Sequence, residues 1–246
     1  MIRKIAIFAL IINISWFAAE AQTRVTFMAE DGLEVVADSY LIHDSLPWIL
    51  MFHQSGSSRG EFREIAPRLN MLGYNCLAVD LRYGKESNFI TNETSRAAQA
   101  GNFPRSMQDA RADMIAAIGW ASRKSGQPVI LFGSSFSASL AMIIAKNNQL
   151  ISAVIAFSPG EFFGPHDLVH NAVRNLDIPV FIAASRREYP YVTELSSGIS
   201  NGKKVIFTPS ESQGVHGARA LWGSEEGSPE YWLGLIMFIH HIKTRD

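Results

Sequence analysis

From Trp48 onward the chain is a series of short, mainly apolar runs separated by stretches of helical period. The runs are Trp48–His53, Asn75–Val79, Val129–Phe132, Ala153–Phe157, Pro179–Ala184 and Lys204–Thr208. A strand with one wet face alternates apolar and polar residues, and these do not, so both of their faces must be covered. The segments between them supply that cover. Residues 60–72 place Phe62, Ile65, Leu69 and Leu72 on one helical face. Ser106 and Asp109 resemble a capping box opening a helix with Met107, Ala110, Met114, Ile118 and Ala121 at helical spacing. A last helix is expected at about 229–242. Two earlier runs, Arg24–Met28 and Leu33–Leu41, flank Asp31-Gly32, a strong hairpin signal. The pattern predicts an α/β fold: a mostly parallel sheet of about eight strands, the first two an antiparallel hairpin, with helices on both faces. No repeat, low-complexity tract or linker divides it, so residues 22–246 are expected to form a single domain. Residues 84–105 are the longest segment without clear periodicity, which suits a lid-like insertion.

Composition narrows the function. The 246 residues carry 22 Lys+Arg against 23 Asp+Glu, a net charge of −1, and 47% are hydrophobic. That is too apolar and too weakly charged for a disordered chain, and it offers no electrostatic reason to bind nucleic acid. The lone Cys76 excludes an internal disulfide and a cysteine-built zinc site, and its place in an apolar run suits inert packing. No metal cluster or organic-cofactor motif is visible. No Gly-x-Gly-x-x-Gly follows the first parallel strand, which argues against a nicotinamide dehydrogenase.

Met1–Ala21 has the layout of a secretory signal peptide: Arg3 and Lys4, an apolar run from Ile5 to about Phe17, then Ala19-Glu20-Ala21. The run is short for a bilayer span of ~20 residues. A mature chain starting near Gln22, exported to a periplasmic or extracellular location without a membrane anchor, is therefore expected.

The strongest chemical signal is Val129–Leu140, where an apolar strand runs straight into Gly133-Ser134-Ser135-Phe136-Ser137 and then into a helix rich in small residues. So tight a strand-to-helix turn strains its central residue and holds the Ser135 hydroxyl out above the sheet edge. The first N–H groups of the helix have no internal partner, so the Phe136 N–H can stabilise an oxyanion. A serine hydroxyl needs a base at neutral pH. His216, in a polar loop after the last strand, would sit at the same C-terminal edge. His240 and His241 read as a polar helix end, His43 lies just past the hairpin's second strand, and His166 and His170 lie in a segment that could reach the site mouth. The strand 179–184 leads into Ser185-Arg186-Arg187-Glu188, whose one carboxylate, Glu188, can orient the histidine; Asp177 precedes that strand, at the wrong edge. The small polar turn His53-Gln54-Ser55-Gly56 offers a second oxyanion N–H from Gln54 or Ser55, with His53 itself a packing or hydrogen-bonding residue.

With the His53-Gln54-Ser55-Gly56 turn, Val79-Asp80-Leu81-Arg82-Tyr83-Gly84, the Ser135 elbow and the Glu188 and His216 turns in this order, the chain resembles the α/β-hydrolase superfamily. It is most similar to small dienelactone hydrolase-like and esterase-like members, from about Arg24 to the C-terminus. It departs in Gln54 where glycine is common, in Ser137 at the end of the elbow, and in a glutamate acid. The resemblance implies a serine hydrolase acting on a carboxylic ester or related acyl bond of a small molecule. An amidase or peptidase of the same fold and a non-catalytic ligand-binding member are the alternatives. Phe89 and Phe103 in one segment, and Phe162, Phe163 and His166 in another, are expected at the substrate rim. Asn92-Glu93-Thr94 matches the glycosylation acceptor pattern, a string frequent by chance. Intact-mass measurement of the exported protein should give a chain starting near Gln22; a mature protein that keeps Met1 would refute the signal-peptide reading.

Overall fold

The computed structural model describes residues 22–244, so the expected signal peptide lies outside the described residues. The strands are β1 (Thr23–Met28), β2 (Glu34–Tyr40), β3 (Trp48–Phe52), β4 (Asn75–Val79), β5 (Glu86–Ser87), β6 (Ile90–Thr91), β7 (Val129–Ser134), β8 (Ile151–Phe157), β9 (Val180–Ala183) and β10 (Lys204–Phe207). The helices are α1 (Ile65–Met71), α2 (Glu93–Ala100), α3 (Ala110–Ser125), α4 (Phe136–Ala145), α5 (Leu168–Val173), α6 (Tyr189–Leu195) and α7 (Ser228–Lys243). Short 3-10 turns lie at Arg59–Phe62 and Ala218–Leu221.

Eight strands form one sheet in the order β1-β2-β4-β3-β7-β8-β9-β10, and β5 pairs only with β6. Strand β2 is antiparallel to both neighbours, and every pair from β4–β3 to β9–β10 is parallel. The unalternating runs are central: every residue of β3, β4 and β7 is buried. Side chains of period two then feed two cores. Trp48, Leu50, Phe52, Leu77, Val79 and Leu131 join a layer with residues of α3 and α4. Ile49, Met51, Ala78, Phe132, Phe157 and Phe181 join one with residues of α1 and α7. Each fully buried large apolar side chain contributes roughly 1.5–3 kcal/mol. Cys76 is buried in the second layer, where burial pushes its thiol pKa up and keeps it unreactive. The capping box forms: the Ser106 N–H donates to Asp109 Oδ2 at 2.6 Å and the Asp109 N–H to Ser106 Oγ at 3.2 Å.

Residues 84–105 carry more structure than their aperiodic sequence suggests, namely the β5–β6 hairpin and α2. The expected lid-like insertion is tied to the body. Thr94 Oγ1 accepts the Val36 N–H at 2.8 Å, and the Gly60 carbonyl accepts from Asn88 at 2.9 Å. Asn92 caps α2 from a fully buried position, donating Nδ2 to the Leu81 carbonyl at 2.9 Å, so the acceptor-like string is not a surface site. Beneath this segment lies Arg59, buried and paired with Asp38 at 3.0 Å, Asp80 at 2.5 Å and Glu93 at 2.6 Å. A second buried arginine, Arg82, pairs with Asp113 and Asp31. Arg59→Met should lower unfolding stability by about 3–5 kcal/mol, because it leaves buried carboxylates without their cation. A denaturant midpoint unchanged from wild type would contradict this.

Candidate active site

The parallel register decides which loops become neighbours. Phe52 pairs with Gly133, Ser134 with Phe157, Phe157 with Ala183, and Phe207 with Ala183. The chain therefore leaves β3, β7, β8, β9 and β10 along one edge, where sheets of this class place their ligands.

At the end of β7, Ser135 takes φ +60° and ψ −123° before α4 begins. Most non-glycine residues at positive φ here are asparagines, which tolerate it; Ser135, Ser158 and Phe89 are the others. Such a conformation costs on the order of 1–3 kcal/mol and needs support. The Ser135 N–H donates to the Phe157 carbonyl at 2.8 Å. A Cβ on Gly133 would lie 2.4 Å from Ala138 Cα, so only glycine lets the strand and helix close. Ser137 is more than a tolerated small residue. Its hydroxyl lies 2.7 Å from the Phe52 carbonyl and accepts the Ser134 N–H at 2.9 Å, stitching the elbow to β3. No described residue hydrogen-bonds the Ser135 hydroxyl, and the residue as a whole is 6% exposed.

His216 Nδ1 lies 2.5 Å from Glu188 Oε1. A carboxylate only accepts, so Nδ1 carries a proton, and in the neutral tautomer this leaves the lone pair on Nε2. The other Glu188 oxygen accepts from the Ser185 N–H, the Ser185 hydroxyl and the Ser158 hydroxyl, each at 2.9 Å. Partial burial would raise the Glu188 pKa. His216 and these serine donors outweigh it and hold the carboxyl down at about 2. Ser158 also accepts the Gly217 N–H at 3.0 Å, so one hydroxyl joins the acid to the histidine loop. Sequence reasoning missed Ser158; the available signal was Ser158-Pro159-Gly160 directly after an apolar run.

Of the two oxyanion candidates beside Phe136, Gln54 drops out. Its N–H already donates to Glu61 Oε2 at 2.9 Å. The Ser55 N–H has no acceptor among the described residues, and Ser55 is exposed. The Phe136 N–H, first in α4, is likewise unclaimed, and the Phe136 ring packs edge-on against Tyr83. His53 is fully buried and holds the turn: its Nδ1 donates to the Gln54 carbonyl at 2.8 Å, and its Nε2 accepts the Leu81 N–H at 2.9 Å. Burial lowers its pKa to about 4, so the ring is neutral.

The expected substrate rim does not assemble as one surface. Phe163 is 5% exposed and belongs to the core, and half-buried Phe103 packs on that same core. Phe162 lies over Gly160. Phe89 stands 96% exposed at the tip of the β5–β6 hairpin. His166 lines a polar cavity of about 540 Å³ with Glu161, His170, Tyr191 and Glu194, none of them a member of the Ser135, Glu188 and His216 set. A phenylalanine in a loop reads the same whether it turns in or out, and here two turn in. Among the described residues no cluster could hold a metal ion, and no helix is long and apolar enough to cross a membrane.

Comparison with solved structures finds the same architecture. The esterase Pf2001 of Pyrococcus furiosus is similar at TM-score 0.66 and 17% identity, covering 90% of this chain and 92% of that one. A dienelactone hydrolase from Anabaena variabilis is similar at TM-score 0.67 and 17% identity, over 90% and 97%. The thioesterase domain from the curacin biosynthetic pathway is similar at TM-score 0.62 and 13% identity, over 88% and 100%. No curated protein sequence matches. The model of the dienelactone hydrolase family matches residues 38–197, about two thirds of the chain and the span that holds the elbow and the acid turn; the chain belongs to the dienelactone hydrolase family, with the α/β-hydrolase fold.

Proposed function

We infer that the protein is a serine hydrolase that cleaves a carboxylic ester, or a related acyl bond, of a small molecule through an acyl-enzyme on Ser135. One observation carries this reading: the strained Ser135, whose hydroxyl has no partner among the described residues, shares a sheet edge with a histidine whose Nδ1 is held by an ionised carboxylate. In the first step Ser135 Oγ attacks the substrate carbonyl carbon and gives its proton to His216 Nε2. The carbonyl π electrons move to oxygen, where the N–H groups of Phe136 and Ser55 receive the charge. Collapse of this intermediate breaks the acyl–oxygen bond, and His216 passes its proton to the departing alcohol. Water then attacks the acyl-enzyme with the same base, releasing the acid and restoring Ser135. Glu188 stays ionised throughout and stabilises the imidazolium, as its low pKa allows. The Met1–Ala21 segment supports export, so we assign the enzyme a periplasmic or extracellular place, with a small-molecule acyl ester as substrate.

Ser135→Ala should abolish hydrolysis of p-nitrophenyl acetate and labelling by a fluorophosphonate while leaving the melting temperature near wild type. Turnover retained in that variant would overturn the assignment, and a wild-type protein that neither labels nor turns over esters would indicate a binding module. Acid stability offers a second test. Glu188 has a folded pKa of about 2, below its usual value near 4.5, so it stabilises the fold above pH ~4.5 and loses that contribution as pH falls toward 2. Glu188→Gln should therefore cost most at neutral pH and little near pH 2. A stability difference independent of pH would contradict this.

A further inference from the structure

Glu61 is fully buried, and no lysine or arginine pairs with it among the described residues. Buried Asp80 and Asp113 are both paired with arginine. Glu61 is held instead by neutral donors. Ser134 Oγ donates to its Oε1 at 2.6 Å, and the Gln54 N–H donates to its Oε2 at 2.9 Å. Burial pushes its pKa up, and these donors, with nearby His216, pull against that.

A buried carboxylate is expensive, and a well-packed apolar residue would stabilise the fold at least as well. What an apolar residue could not do is join three loops. Ser134 immediately precedes the candidate nucleophile, and Gln54 immediately precedes Ser55. The loop after His216 reaches the same cluster, because the Ala218 N–H donates to Ser134 Oγ at 2.8 Å and Trp222 Nε1 donates to the Glu61 carbonyl at 2.9 Å. The consequence for Ser55 follows from peptide geometry. The Gln54 carbonyl and the Ser55 N–H belong to one planar trans unit and point in opposite directions. That carbonyl accepts from His53 Nδ1 at 2.8 Å and from the Ser57 N–H at 3.2 Å, while Glu61 anchors the N–H on the other side of Gln54. Both flanks of Gln54 are thus fixed, and the Ser55 N–H is left directed away from the bonds that hold the turn.

We propose that Glu61 is a positioning residue, clamping the Gln54–Ser55 turn to the nucleophile elbow so that the Ser55 and Phe136 N–H groups converge on the developing oxyanion. This rests on the serine-hydrolase reading above. Glu61→Ala releases the turn, whereas Glu61→Gln keeps an oxygen for the Gln54 N–H.

The test measures kcat, KM, melting temperature and affinity for a trifluoromethyl ketone, whose adduct carries an oxyanion. In Glu61→Ala, kcat should fall about 10²-fold with KM changed by less than about threefold, as for loss of one oxyanion donor. Affinity for the ketone should fall in step with kcat/KM, and Glu61→Gln should recover most of both. A folded Glu61→Ala variant with wild-type kcat, a loss confined to KM, or a loss that Glu61→Gln does not relieve would each overturn the proposal. If Glu61→Ala does not fold, Ser134→Ala decides: it cuts the elbow side of the clamp, together with the bond from the Ala218 N–H, and in the folded variant should lower kcat at least about tenfold with KM changed by less than about threefold. An unchanged kcat there would refute the proposal. Absence of Ser135-dependent turnover in the wild type is the separate result by which the serine-hydrolase reading itself fails.

Discussion

Parallel pairing of β3, β7, β8 and β9 is the constraint on which the site depends. Hydrogen bonding in register places Gly133 beside Phe52 and Ala183 beside Phe157, so the residues that follow each strand emerge as neighbours. Groups as distant in sequence as Ser55, Ser135, Ser158 and Glu188 come together without any loop having to reach far. A slip of one residue in any of these pairs would send each side chain to the opposite core and separate these groups. The register holds because both faces of the central strands are buried, so no slipped arrangement keeps the core.

On that frame the site is built largely from serines. Ser134 and Ser158 bond loops that follow neighbouring strands, Ser137 bonds the end of β3, Ser185 bonds Glu188 within its own turn, and all four are buried. A hydroxyl donates once and accepts twice, which lets a small side chain connect a carboxylate to a backbone N–H without introducing charge. Ser158 does this between Glu188 and Gly217, and Ser134 does it between Glu61 and Ala218. The strain at Ser135 is sustained by these bonds and by the close strand–helix approach at Gly133.

Glu188 and Glu61 show how environment separates two similar side chains. Glu188 is partly exposed, meets His216 and three serine donors, and has a low pKa. Glu61 is wholly buried among neutral donors, and its pKa is raised. The first suits a partner for an imidazolium. The second suits a fixed point inside the protein, close to the chemistry but shielded from it.

Residue order suffices to indicate the eight strands, the elbow at Ser135, the acid turn at Glu188 and the histidine loop at His216. Continuous apolar runs can be buried only on two faces, and a strand entering Gly-x-Ser-x-Ser has few ways to turn. The β5–β6 hairpin escapes detection because its strands are two residues long, too short for any period to register. Glu61 adjoins a face that reads as amphipathic helix, and nothing in its neighbours says that it points inward. The choice of Ser55 over Gln54 turns on where one N–H is aimed, and that is set by a carboxylate seven residues away. Phe163 and Phe89 are the same residue type in the same kind of loop, yet one is in the core and the other is almost wholly exposed. Local pattern dictates which segments are buried. Which polar atoms meet is settled by packing between distant segments, because a hydrogen bond depends on distances and angles that composition and spacing do not encode.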